Sequence, residues 1–328
     1  MKTLMPKLFV FAIAGALATE TLAEEWNVSV WGKRRAFTEH VHKLGELLDQ
    51  KTNGEFTLNI SYGGLSKNRE NLDGISIGAF EMAQFCAGYH ADKNRVVTVL
   101  ELPFLGVENL AQEVAVSAAV YAHPAATEEM AQWNAKLLMT SPMPQYNLVG
   151  TGEPRTTLSD FEGMRVRATG GLGKAFAAAG SVPTSVTATE AYQAMESGLV
   201  DTVAFAQHAH LSFGTINQAD WWTANLNPGT VNCPVVVNID AYESLSDAHR
   251  EASLAGDLDL RDARTIDSLS TRLRRAKSVS SIWFSRSDVR LKKTIERASE
   301  STFATTGSSA ASGRRARMRA TRSRTSAA

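Results

Sequence analysis

The stretch GMRVRATGG, from Gly163 to Gly171, constrains the fold most, because it reads as a short strand that ends in small residues before a helix. In an extended segment Arg165 and Arg167 point to one face, and the apolar residues point to the other. Only Arg167 stands at the strand end, where glycines leave the backbone open to a ligand. Since a guanidinium can hold a carboxylate with two parallel hydrogen bonds, Arg167 is a candidate anion clamp. The local pattern fits two solvated strand-edge arginines equally well.

Helical and strand signals alternate along the chain, which predicts an α/β fold. Apolar residues recur at helical spacing from Arg35 to Gln50, and they alternate as in a strand from Phe56 to Ile60. Further strands are predicted at Phe80 to Phe85, Val96 to Leu102 and Val235 to Ile239. With 44% hydrophobic residues the chain can bury a large core, and a ligand cleft is expected between two α/β lobes.

The N-terminus has the pattern of a secretory signal. Residues 1–23 contain Lys2 and Lys7, then an apolar run from Leu8 to Ala18, and end in small residues before Glu24. The apolar run is too short to span a bilayer, and no cysteine stands at the cleavage site. We therefore expect a free periplasmic protein with no stable membrane insertion.

Five segments, in this order, carry a resemblance to one family. They read VSVWGKRRAFTEHVHKLGELLDQKTNGEFTLNISYGGL, KNRENLDGISIGAFEMAQF, LELPFL, SDFEGMRVRATGG and TEAYQAMESGLVDTV. From about Trp26 to about Leu245 the chain resembles the periplasmic substrate-binding subunit of a TRAP transporter, the DctP type. The resemblance implies a two-lobe binding protein with a central ligand cleft and hinge strands. It also implies that Arg167 grips the ligand carboxylate and that the closed form docks on the TRAP membrane permease.

The resemblance divides the chain into four regions. The signal peptide occupies residues 1–23, the first lobe 24–147 and the second lobe 148–229. The first lobe is completed by about 230–255, and 256–328 is an atypical basic segment.

The chain departs from the commonest family pattern at two places. Where relatives often carry an asparagine after the turn, this chain reads TVAFA from Thr202 to Ala206, so that an aromatic contact from Phe205 replaces a polar one. Where relatives that bind certain acids carry a second arginine, this chain has Gln145, Tyr146 and Asn147. A monocarboxylate or a zwitterion therefore becomes a more plausible ligand than a dicarboxylate. Glu81 and Glu101 are candidates to meet an amino group, and either could equally be a surface residue at a strand end.

Aromatic residues and histidines supply further candidates for the cleft. Trp31 ends the first predicted strand, Phe205 follows a turn, and Trp222 lies in a later loop. Such rings enclose ligands or simply pack in the core. His208 and His210 could share a strand face and bind a metal, but no third ligand is evident, so that a cleft or satisfied polar role is preferred.

Two features stay open at this point. Cys86 and Cys233 could form a disulfide or remain buried thiols. The segment from Gly313 to Ala328 has six arginines and no acid. Clustered arginines can attract nucleic acid or anionic lipid, but a disordered tail or a reading-frame change is favoured over a nucleic-acid partner.

The sequence thus predicts capture of a small organic acid in the periplasm and its delivery to a permease. An enzyme is disfavoured, because no nucleophile with a base, metal set or cofactor loop is evident, and no cofactor is expected. Gly170 to Phe176 is glycine-rich but lacks the spacing of a phosphate loop. A binding protein for a small amine, amino alcohol or zwitterion is the alternative.

Overall fold

A computed structural model describes residues 23–261 except 108, 142, 224, 225 and 227. The predicted signal sequence, apart from Ala23, and the arginine-rich segment lie outside the described residues. Ten strands are present in the described part of the chain: β1 (Glu24–Val30), β2 (Phe56–Tyr62), β3 (Met82–Gln84), β4 (Ala135–Met139), β5 (Tyr146–Gly150), β6 (Arg165–Arg167), β7 (Val182–Thr184), β8 (Thr202–Ala206), β9 (Trp221–Trp222) and β10 (Val235–Asn238).

Nine α-helices accompany these strands within the described ranges: α1 (Glu39–Lys51), α2 (Asn71–Ser76), α3 (Leu110–Tyr121), α4 (Pro124–Ala131), α5 (Gly170–Ala178), α6 (Ala191–Glu196), α7 (Gln207–Ser212), α8 (Ile239–Ser244) and α9 (Asp247–Arg261). Short 3-10 helices lie at Ala36–Thr38, Ala87–Tyr89, Val97–Glu101, Leu158–Phe161 and Thr215–Gln218. None of the helices in the described residues is both long and apolar enough to cross a membrane.

The strands form two five-stranded sheets, each the centre of one lobe. The first has the order β2-β1-β3-β10-β4, and the second has the order β7-β6-β8-β5-β9. Strands β1, β2 and β3 run parallel, and β10 runs antiparallel to β3 and β4. In the second sheet β6 is parallel to β7 and β8, whereas β5 is antiparallel to β8 and β9. Helices cover the sheets, as expected for parallel strands buried on both faces.

The chain crosses between the lobes twice in the described residues, from β4 to β5 and from β9 to β10. The backbone N–H of Tyr146 donates to the carbonyl of Gly229 at 2.7 Å, so the two crossing segments run side by side. The first crossing ends at Tyr146, where β5 of the second sheet begins. The second lobe was predicted to start at residue 148, so its sheet begins two residues earlier in the chain, with Tyr146 and Asn147.

The predicted first helix is present but begins later than its apolar pattern. Ala36–Thr38 is a 3-10 turn, and α1 follows it. Val41, Leu44 and Leu48 are fully buried on one face of α1, and α9 packs beside that helix. The burial of this apolar stripe holds α1 against the first sheet.

The predicted strand from Val96 to Leu102 is wrong. Residues Val97–Glu101 form a 3-10 helix instead. Val97 and Leu100 are both buried, and residues three apart lie on one face of a 3-10 helix. The β-branched residues of this segment favoured a strand. Packing against the rest of the lobe overrides that preference, because the 3-10 helix buries Val97 and Leu100 on the same face. The strand predicted at Phe80 to Phe85 is confirmed in shorter form as β3, and that at Val235 to Ile239 as β10.

Candidate functional site

A cavity lies between the two lobes. It is bordered by residues that follow the strands β1, β3, β6 and β8, as expected for a ligand site at the carboxyl ends of parallel strands. Its lining comprises Trp31, Arg35, Phe37, Cys86, Tyr89, Met143, Tyr146, Arg167, Thr169, Ala188, Phe205, His208, Ala209, Phe213, Val231 and Cys233. None of these lining residues is an aspartate or glutamate. Six of them are aromatic and two are arginines, so the cavity is apolar with cationic groups.

Arg167 is the most buried cation of the cavity, with 2% of its surface exposed. Its Nε donates to the carbonyl of Val186 at 3.0 Å, and Nη1 donates to the carbonyl of Ala204 at 3.2 Å. Nη2 donates to the hydroxyl of Tyr89 at 2.9 Å, and the guanidinium carbon lies 4.4 Å from the ring centre of Phe205. A guanidinium has five N–H groups, so these three bonds leave two donors for a ligand.

Arg167 forms no ion pair among the described residues, and its charge acts on the Glu190 carboxylate only at longer range. Its three hydrogen bonds all go to neutral oxygens, and the ion pairs of the described chain do not include it. By contrast Arg165, two residues earlier on β6, is exposed and pairs with Asp201. Because a buried charge is costly unless it is paired, Arg167 is well suited to an anionic ligand.

Tyr89 connects the first lobe to Arg167. It lies at the end of the 3-10 helix after β3, and its hydroxyl accepts hydrogen bonds from Arg167 Nη2 and from the backbone N–H of Ala188 at 2.8 Å. Both donors belong to the second lobe, so closing the lobes fixes the arginine. Arg69 makes a second contact between the lobes, because its Nη2 donates to the carbonyl of Ser185.

Arg35 is a cavity residue that the sequence reasoning missed. It directly precedes the 3-10 turn before α1, and its guanidinium carbon lies 4.6 Å from the ring centre of Trp31 and 4.9 Å from that of Phe37. Phe213 of the second lobe lies 5.3 Å away. Burial lowers the pKa of Arg35 to about 10. A cation just before a helix N-terminus is electrostatically unfavourable, and that placement was the available sequence signal.

A disulfide joins Cys86 to Cys233 in the cavity wall. The two cysteines follow β3 and precede β10, and hydrogen bonds from Phe85 to Pro234 and from Ala87 to Asn232 extend the antiparallel pairing around them. The sequence alone could not decide between a disulfide and two free thiols, because a bridge forms only if the fold brings the two distant cysteines close together.

The structure brings five of the nine predicted ligand-binding residues to the cavity: Arg167, Trp31, Phe205, Tyr146 and His208. The rings of Tyr146 and Phe205 meet edge to face with centres 6.4 Å apart. Burial raises the pKa of the Tyr146 hydroxyl, so it stays protonated and can donate. Trp31 brings an indole nitrogen that is buried without a hydrogen-bond partner in the structure.

The other four predicted residues lie outside the cavity lining. Glu81 precedes β3 and accepts from the backbone of Asn27 at 2.8 Å, at the opposite end of the strand from the cavity. Asn147 is buried and donates to the carbonyl of Thr223. Trp222 lies on the edge strand β9 and packs on the second-lobe core.

Gln145 lines a neighbouring cavity beside the crossing segments. That cavity also contains Glu113, whose carboxylate accepts from the backbone N–H of Met143 at 2.9 Å. Burial raises the pKa of Glu113 to about 8. The side chain of Gln145 therefore lines this neighbouring cavity and not the cavity that contains Arg167.

His208 and His210 lie on helix α7 rather than on a strand, so a shared strand face is excluded. His210 is buried, and its ring nitrogens contact the hydroxyl of Thr215 and the carbonyl of Asn147. Burial lowers the pKa of His210 to about 3, so its ring is neutral. Within the described ranges, no three His, Cys, Asp or Glu side chains cluster as metal ligands.

Glu101 links the first lobe to the start of α5. Its side chain accepts from the backbone N–H groups of Gly88 at 3.0 Å and of Asn232 at 3.1 Å, and it lies against Gly170 and Gly171. A Cβ at Gly170 would lie 1.6 Å from the Glu101 Oε2, so only glycine fits there. Burial raises the pKa of Glu101 to about 7.

One family profile, described as bacterial extracellular solute-binding protein, family 7, matches residues 28–255. A search of curated proteins finds no match. Among solved structures, the chain is similar to DctP7 of Bordetella pertussis, an extracytoplasmic solute receptor binding pyroglutamic acid. The identity is 18% and the TM-score 0.68, over 84% of this chain and 86% of that one.

Two further structures are similar over most of their length. A TRAP periplasmic solute-binding protein from Roseobacter denitrificans with bound β-D-glucuronate is 20% identical, with a TM-score of 0.65 over 87% of this chain and 96% of that one. Another from Bordetella bronchiseptica, with bound (R)- and (S)-mandelate, is 19% identical, with a TM-score of 0.67 over 85% and 90%. These similarities confirm the predicted two-lobe α/β fold.

Proposed function

The chain belongs to family 7 of the bacterial extracellular solute-binding proteins, and from this premise we propose that it captures a small organic acid between its lobes. The acid's carboxylate pairs with the two free N–H groups of Arg167. The periplasm is the proposed compartment, and a TRAP membrane permease is the proposed recipient of the acid. A role in binding rather than catalysis accords with a family defined by solute binding.

The observation that carries the proposal is the buried, unpaired guanidinium of Arg167 in the cavity between the lobes. Three neutral acceptors hold its plane in place, so that little reorganisation is needed when a carboxylate binds. Relatives of similar fold support the same chemistry, since those from B. pertussis, R. denitrificans and B. bronchiseptica hold pyroglutamic acid, glucuronate and mandelate.

The cavity disfavours the alternative ligand, a small amine or amino alcohol. An ammonium group would need a carboxylate or several carbonyl acceptors, and the lining residues include no aspartate or glutamate. Glu101 does not fill that role, because its carboxylate is buried outside the lining and accepts hydrogen bonds from the backbone N–H groups of Gly88 and Asn232. Aromatic rings alone would stabilise a cation weakly beside two guanidiniums.

Closure of the lobes follows from the same contacts. Tyr89 and Arg69 of the first lobe bond to Arg167, Ala188 and Ser185 of the second. A ligand that neutralises Arg167 and touches both lobes favours the closed form, because it binds that form better than the open one.

A thermal-shift screen of the protein from Glu24 onward tests the ligand class. Small acids should raise the melting temperature by about 5 °C at a concentration of 100 times Kd, because a ligand that binds only the folded state stabilises it by mass action. Amines and amino alcohols of matched size should give no shift. A shift with amines alone would contradict the proposal.

A further inference from the structure

The half of the cavity that belongs to the first lobe contains hydrogen-bond donors without acceptors. Nη1 of Arg35 donates to the carbonyls of Trp31 at 2.7 Å and Lys33 at 2.8 Å, whereas Nη2 is buried with no partner in the structure. The indole nitrogen of Trp31 is likewise buried and unpartnered. Both side chains line the cavity. A buried donor without an acceptor is destabilising, so this pair of donors favours a ligand oxygen.

Aromatic contacts hold the guanidinium of Arg35 in a fixed position. Trp31, Phe37 and Phe213 surround it at 4.6, 4.9 and 5.3 Å between the guanidinium carbon and the ring centres. Gly32, with φ of +80°, lets the loop turn back over the side chain, and a Cβ there would lie 2.9 Å from Arg35 Nη1. The loop is thus shaped around this arginine.

Arg35 and Arg167 stand on different lobes, and two adjoining aromatic rings lie between them. The Phe213 ring centre lies 5.6 Å from that of Phe205, and Phe205 lies under Arg167. Neither guanidinium has an acidic partner among the described residues that line the cavity. The two cations therefore present separate donors to one enclosed ligand.

We propose that Arg35, with the Trp31 indole, forms a second subsite that binds an oxygen acceptor at the end of the ligand away from the carboxylate on Arg167. This inference rests on the proposed function and names the acid more closely. The ligand carries a carbonyl or carboxylate oxygen at its far end. A plain apolar monocarboxylate would leave the Arg35 and Trp31 donors unsatisfied and should bind more weakly.

Matched pairs of acids test the subsite by calorimetry. Each pair keeps one carbon skeleton and differs in the far oxygen: pentanoate with glutarate, cyclopentanecarboxylate with 3-oxocyclopentanecarboxylate, and 3-methylbenzoate with isophthalate. In the wild type, the oxygen-bearing member of the pair that fits should bind at least tenfold more tightly. In Arg35→Met this preference should fall below about twofold, because the oxygen-bearing acid loses more affinity than the plain acid does.

Two further variants separate binding from folding. Arg34→Met removes the neighbouring exposed arginine, which pairs with Glu39, and should keep the wild-type preference. Gly32→Ala keeps the charge of Arg35 but displaces its guanidinium, and it should lose the preference. Gly63→Ala is its control, because Gly63 has a similar φ of +79° with no atom within 4 Å of an added Cβ.

The outcomes distinguish the two proposals. A preference that survives in Arg35→Met, or an equal loss of both members of a pair, contradicts the subsite and leaves the Arg167 site standing. If the wild type binds both members of every pair equally, the subsite is likewise contradicted and the Arg167 site still stands. If no acid of any pair binds the wild type, the proposed function itself fails together with the inference.

Discussion

Arg165 and Arg167 show how far the environment of a residue decides its role. The strand pattern placed both on one face, and the small residues after Arg167 singled out the second. The structure buries Arg167 among neutral acceptors and leaves Arg165 exposed beside Asp201. This much could be predicted, because strand ends and glycines are local signals. For Arg35 the sequence offered only its place before a helix, and its position in the cavity could not be predicted because it also depends on Phe213, a residue far away in sequence.

Buried titratable residues make stability depend on pH in two opposite ways. Burial raises the pKa of Glu101 to about 7 and of Glu113 to about 8, so the fold binds these protons more tightly than the unfolded chain does. The contribution of these two protonated carboxyl groups to the free energy of unfolding is lost as pH rises from about 5 to 8. Burial lowers the pKa of His40 and His90 to about 4 and of His210 to about 3. The fold therefore loses stability as pH falls below about 6.5.

We expect the free energy of unfolding to be greatest near pH 6 to 6.5 and to fall on both sides. Chemical denaturation from pH 4 to pH 9 measures the profile. In Glu101→Gln the fall on the alkaline side should be smaller, because one buried acid no longer ionises. The fall from pH 6.5 to about pH 5 should be steeper, because Glu101 no longer partly offsets the protonation of the histidines. A profile that is flat from pH 6.5 to 8, or an unaltered alkaline slope in the variant, would contradict the assignment.

At the scale of elements, periodic segments were predictable and short irregular ones were not. The stripe of Val41, Leu44 and Leu48 gave α1, and the alternation from Phe56 gave β2. The run from Val96 to Leu102 has the composition of a strand, yet it packs as a 3-10 helix whose last residue, Glu101, reaches the start of α5. Composition cannot reveal that tertiary contact.

The disulfide between Cys86 and Cys233 ties β3 to β10 at the cavity wall. It joins residues 147 positions apart, and closing so long a loop limits the unfolded chain. Replacement of both cysteines by alanine should cost about 2–5 kcal/mol, a fall in melting temperature on the order of 10 °C. Reductant should lower the melting temperature of the wild type by a similar amount and leave the variant unchanged. A wild type that melts identically with and without reductant would refute this role.

At the scale of the whole molecule, the contacts across the cavity explain why two lobes make one site. Arg167 and Phe205 come from the second lobe, whereas Tyr89, Arg35 and Trp31 come from the first. The family resemblance implied this division, and it identified the arginine on β6. The resemblance did not point to Arg35, because it placed a second arginine at Pro144 to Gly150, where the first crossing runs into β5, and not in the loop after β1.

The measurement that tests the central claim most directly is a calorimetric titration of Arg167→Met against wild type, with the acid that gives the largest thermal shift. The account predicts at least a tenfold loss of affinity, because each charged hydrogen bond to the carboxylate contributes about 1.5–3 kcal/mol. Arg165→Met, altered two residues away on the same strand, should bind as the wild type does. Unchanged affinity in Arg167→Met, or an equal loss in both variants, would contradict the carboxylate site.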